Sequence, residues 1–149
     1  MNYQDRNNIV SIIVGLTVNS YIIFRLFEMN AAGQFDGPDA INVWAQMVVW
    51  MIPIGIISTI IGTILFNIGY GIITGNENPS LLVDERDKMF EQRGTMAIVI
   101  LIGLGFVASI LALALGWSAV VGFNIIYFSM ALGSLTADFV KFISYRRGY

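Results

Sequence analysis

The chain contains no cysteine and no histidine, and only 12% of its 149 residues are charged. Missing thiols exclude disulfides, thiolate nucleophiles and cysteine-bound metal clusters. Missing imidazoles remove the usual general base and the common zinc and haem ligand. Most familiar catalytic sets disappear with them, so no enzyme activity, no metal and no cofactor are expected. With 8 basic residues against 10 acidic ones there is no basic surface for nucleic acid. The charged share is about half that of a soluble domain, while 56% of the residues are hydrophobic. Such a chain is solvated by lipid.

Four apolar runs, near residues 8–27, 52–74, 94–116 and 118–144, have the roughly 20 residues that a helix needs to cross a hydrocarbon core. Strand alternation is absent, and a helix satisfies its own backbone in lipid. The expected fold is all-α: one domain, residues 1–149, built as an up-down bundle of four transmembrane helices. The first run lacks a small-x-small cleavage site and is read as a retained span.

Lysine and arginine set the orientation. Arg86, Lys88 and Arg93 lie between spans two and three, Lys141, Arg146 and Arg147 near the C-terminus, and Arg6 near the N-terminus. The other two connections carry none apart from Arg25, just inside the end of span one. Both termini and the charged loop are therefore expected in the cytoplasm. Trp44, Trp50 and Trp117 then mark the outer side, and Tyr3, Tyr145 and Tyr149 the inner one.

Before span two, Asp36-Gly37-Pro38-Asp39 is a helix-start signal with Pro38 suited to the first turn. The apolar run from there to Thr74 would make one helix about 55 Å long, beyond the bilayer. Pro53 and Gly55 offer a break. Residues 40–51 are expected to form either an interfacial helix on the outer surface, anchored by Trp44 and Trp50, or a helical extension above the membrane. In either form Trp44 and Trp50 are candidate partner-binding residues.

Small residues recur within the spans: Gly55, Gly62 and Gly69 at seven-residue intervals in span two, Gly105 with Ser109 and Ala112 in span three, Gly133 with Gly122 and Ser129 in span four, and Ser11 with Gly15 in span one. They are read as helix-packing positions, within one bundle or between copies. Asn19, Asn67 and Asn124 are intramembrane amides that need partners and are read as interhelical bonds. Asp138 is a carboxylate inside the last span near its inner end, with Lys141 three residues on.

Charge concentrates between Asp84 and Arg93, where seven residues are ionisable. Asp84 is a candidate helix N-cap, with Asp87 three positions on favouring a helix start, while Asp84 and Glu85 lie within reach of Lys88 at i,i+4 and i,i+3. Together Asp84, Glu85 and Asp87 form an acidic face open to a partner. Arg86 and Arg93 have no acid three or four residues away. Counted from the turn at Trp117, Arg93 and Asp138 reach similar depths on adjacent spans, which predicts a structural latch of Arg93 with Asp138, direct or through Lys141, with Glu91 or lipid phosphate left for Lys141.

The run Asp84-Glu85-Arg86-Asp87, then Glu91 and Arg93-Gly94 at the entrance to a span, resembles a family of small four-span bacterial inner-membrane proteins with a D-E-R-D/T-x-x-I-E-x-[RK]-[AG] type motif and no assigned activity. Phe90 replaces the usual aliphatic residue. The resemblance covers about a dozen residues and the four-span layout. It implies a bacterial inner-membrane location and a sensing or regulatory role beside small helix-turn-helix regulators. The residues themselves point first to a non-catalytic regulatory, assembly or accessory subunit that works through contacts with a larger membrane protein or with itself. The competing reading is a homo-oligomeric channel or small transporter lined by Asn19, Asn124, Ser134 and Asp138. A membrane enzyme holding magnesium on Asp84, Glu85 and Asp87 ranks third, because such acids are usually a solvated face.

Overall fold

The computed structural model describes residues 3–75 and 85–147. They form four helices: α1 (Tyr3–Ala31), α2 (Ala40–Thr74), α3 (Glu85–Ala114) and α4 (Ala119–Arg147). Each is long and apolar enough to cross a membrane, and no strand occurs among the described residues. The chain is thus an all-α four-helix bundle with the make-up of a multi-pass membrane protein. Its exposed surface agrees: Ile72, Ile73, Phe27 and Leu115 are each more than 70% accessible, which lipid tolerates and water does not.

Two of the turns are set by glycine. Gly33 and Gly116 have φ of 69° and 84°, the left-handed region that glycine enters without strain. At each, the residue after the glycine donates to a carbonyl five residues back, Gln34 to Met29 and Trp117 to Ala112, and the glycine itself donates three residues back. These are Schellman closures. The second joins α3 to α4 through only four residues, so the two must be antiparallel neighbours.

The helices lie in the order α2–α1–α4–α3. The closest packing is between α3 and α4; α1 packs on both α4 and α2, and α2 touches α4 only sparsely. Among the described residues α3 meets neither α1 nor α2. The bundle is therefore open between α2 and α3, which are consecutive in the chain but separate in space.

Of the two forms expected for the segment before Pro53, the structure takes the helical extension of span two. No interfacial helix lies ahead of span two: α2 runs unbroken for 35 residues with Pro53 inside it. Pro38 stays outside the helix, and Asp39 takes the N-cap position without a side-chain cap bond. One face of the early turns of α2 is buried, at Trp44 and Met47. Met47 packs with Ile22 and Met29 of α1, bordered by Val18, Leu26, Val43 and Tyr127. Burial of these apolar side chains holds the N-terminal half of α2 against its neighbours and keeps the helix continuous past the proline.

Candidate functional site

The α3–α4 contact is built from small residues. A Cβ on Gly105 would collide with the side chain of Ser129, and one on Gly133 would stand 3.3 Å from the backbone of Ile98. Ser109, fully buried, donates to the carbonyl of Gly122 at 2.9 Å. These positions match the expected packing role of Gly105 and Gly133, because small side chains let two backbones approach. In span two only Gly62 does the same, facing Val14 and Val10 of α1. Gly55 and Gly69 have nothing within 4 Å of a built Cβ. Near Gly69 longer side chains bridge the gap: Arg6 lies 4.6 Å over the Tyr70 ring, and Asn67 reaches Asn7 at 3.4 Å. At Gly55 the helices separate around a pocket.

That pocket, of about 180 Å³, lies between α1, α2 and α4 and is lined by Ser11, Asn19, Thr59, Ser134 and Asp138 among apolar neighbours. Asp138 is only 9% exposed. The Ser11 hydroxyl donates to its Oδ2 at 2.5 Å. No lysine or arginine lies within ion-pair distance of it among the described residues. Above it Asn19 accepts from the Tyr127 hydroxyl at 3.4 Å and donates to the Gly15 carbonyl. The Thr59 hydroxyl turns back to the Gly55 carbonyl. An apolar groove of about 500 Å³ shares Val18, Gly55 and Thr59 with this pocket and continues along α2 past Met51, Ile56 and Ile60.

The Arg93–Asp138 latch does not form. Arg93 is exposed and has no ion pair among the described residues. Depth matched, but angle did not. Ala137 and Lys141 face α3 at Gly94, and the next residue along a helix is rotated by about 100°, which turns Asp138 away toward α1. Lys141 does meet Glu91, at 2.7 Å. Arg86 is likewise exposed and without an ion pair among the described residues.

The acidic face is also reduced. Asp84 lies outside the described residues, and Glu85 is exposed. Asp87 is 5% exposed and accepts from the Tyr145 hydroxyl at 2.8 Å, with Phe90 edge-on to the Tyr145 ring. It ties α3 to α4 and is not open to a partner. Trp44 is buried too: its indole donates to Asn124 Oδ1 at 2.7 Å, and its ring packs on Phe123. Trp50, 70% exposed, keeps an open surface. All three intramembrane asparagines make interhelical contacts as expected, Asn19 to α4, Asn67 to α1 and Asn124 to α2. Of the four residues read as a polar route, Asn19, Ser134 and Asp138 line one pocket, whereas Asn124 is held by Trp44 elsewhere.

Sequence reasoning missed Ser11 as the partner of Asp138, having placed it only among small packing residues. A signal existed: Ser11 lies eight residues from the start of α1 and Asp138 nine from the end of α4, so both sit about two turns from the same end of the bundle. No group of His, Cys, Asp or Glu among the described residues is arranged to hold a metal. The chain matches no family model, no curated protein and no solved structure.

Proposed function

We propose that the chain is a non-catalytic integral membrane protein, a regulatory, assembly or accessory subunit that works through contacts with a larger membrane protein. The observation that carries this reading is the open side of the bundle. Among the described residues α3 rests on α4 alone, and its opposite face, including Ile100 and Val107, is more than half exposed. A transmembrane helix of a partner would complete the ring between α2 and α3. Trp50 and the exposed charges at Glu85, Arg86, Lys88 and Arg93 offer further contact at either end. The motif resemblance supports a bacterial inner-membrane location, and the distribution of lysine and arginine supports cytoplasmic termini.

The cysteine-free chain makes the test direct. Val107→Cys, labelled in native membranes with a thiol-reactive photo-cross-linker, irradiated and purified in mild detergent, is expected to yield one discrete adduct larger than a dimer. Absence of an adduct, or a dimer alone, contradicts the larger partner. Cysteines placed at Gln34 and Glu77 test orientation: an impermeant reagent added outside should label position 34 and spare position 77.

A second reading, a homo-oligomeric channel or small transporter, is favoured by the pocket that gathers Asn19, Ser134 and Asp138. It predicts ion or proton flux in liposomes that Asp138→Asn abolishes.

A further inference from the structure

Asp138 combines features that a purely structural carboxylate lacks. It is almost fully buried, yet its one hydrogen-bond donor among the described residues is a neutral hydroxyl, that of Ser11. Lys141, one turn further on, gives its ammonium to Glu91. A buried acid without a cation is costly inside a membrane, and such groups face cavities, pair with cations or mark ligand paths. Asp138 does face a cavity. That cavity's volume of about 180 Å³ has room for several waters, far more than a bare metal ion occupies. Its polar wall is entirely oxygen and amide, from Ser11, Asn19, Thr59 and Ser134, with no basic residue. The adjoining apolar groove of about 500 Å³ is open along the bundle surface and shares Val18, Gly55 and Thr59 with the polar pocket. Gly55 matters here because it puts no side chain between the two spaces.

We propose that the junction of α1, α2 and α4 binds a cationic amphiphile, its ammonium head beside Asp138 in the polar pocket and its apolar tail in the groove past Met51, Ile56 and Ile60. Charge complementarity selects the head, since the single formal charge lining the pocket is negative. The groove selects the tail. From Ser11 to Val18 along α1 is about 10 Å, so a compact cation without a tail leaves the groove unfilled and forfeits the apolar contact. The site stands independently of the subunit and transport readings, because it requires neither a protein partner nor flux.

The test uses the full chain in nanodiscs of zwitterionic phosphatidylcholine, with empty nanodiscs as background and radiolabelled dodecyltrimethylammonium as probe. Saturable binding of about one probe per chain is expected. Asp138→Asn should weaken it at least tenfold, and Thr59→Phe, which fills the wall common to pocket and groove, should do the same; thermal melting of each variant reports whether it is folded. In the native chain, an unlabelled excess of dodecyltrimethylammonium should displace the probe at concentrations at least tenfold below those needed for tetramethylammonium or dodecanol. Binding no greater than in empty nanodiscs overturns the proposal. So does unchanged affinity in folded Asp138→Asn, or displacement by dodecanol as effective as by the cation, which would make the groove a site for neutral lipid. These competition results need no variant to fold, and they leave cross-linking and flux as separate questions.

Discussion

The two halves of the bundle are packed by different means. Between α3 and α4 the close contact is made by small residues: Gly105 on the Ser129 side chain, Gly133 on the Ile98 backbone, and Ser109 on the Gly122 carbonyl. Between α1, α2 and α4 Gly62 meets Val14 and Gly15 meets Leu135, but elsewhere longer side chains that meet at their tips space the helices, Trp44 with Asn124, Tyr127 with Asn19, and Arg6 over Tyr70. Small residues bring axes together and leave no room. Long ones separate axes and leave space, here a polar pocket with a carboxylate in its wall. The first half is a scaffold, and the second is where a ligand fits.

Bulk added at the tight contact should have the largest effect. Gly105→Leu is expected to prevent folding or to cost several kcal/mol, since overpacking a contact that already excludes a Cβ forces the backbones apart. Gly69→Leu, with nothing within 4 Å of a built Cβ, should be close to neutral. Yield and thermal stability in detergent compare the two, and similar losses would erase the distinction between halves. Gly62→Leu is expected to fall between them, because its neighbours, Val14 and Val10, are side-chain ends rather than backbone.

Losing a polar tip contact should matter less. Trp44→Phe keeps most of the ring but removes the donor to Asn124, for an expected cost of about 1 kcal/mol by denaturant titration. Trp50→Phe, on an exposed side chain, should change stability by less than half of that. At the small end, Arg93→Ala should shift stability by less than about 0.5 kcal/mol, the range for exposed charges. A large loss would mean that Arg93 has a partner in the folded bundle after all.

Much of this architecture was legible in one dimension. Apolar runs of sufficient length marked the four helices, the short turn at Trp117 made α3 and α4 neighbours, and the small residues at Gly105 and Gly133 marked how they touch. Residue counting also placed Asp138 at the right depth. It could not supply the angle about the helix axis, so the carboxylate was given to Arg93 on α3 when it turns to Ser11 on α1. Nor could it show that one face of the early turns of α2, at Trp44 and Met47, is buried. Trp44 reads as an interfacial anchor or a partner contact, and only the position of α1 and α4 shows that it is buried. Pro53 offers a break, yet α2 continues through it as one helix.

The division into scaffold and ligand-binding half rests on Asp138 belonging to the α1–α4 junction. A double-mutant cycle on Ser11→Ala and Asp138→Ala, measured by denaturant unfolding of the full chain in detergent, tests this most directly. The predicted result is a coupling energy of about 1 kcal/mol or more, because a hydrogen bond to a buried carboxylate is lost in either single variant and cannot be lost twice. Additivity of the two changes to within about 0.3 kcal/mol would contradict it and return Asp138 to some other partner.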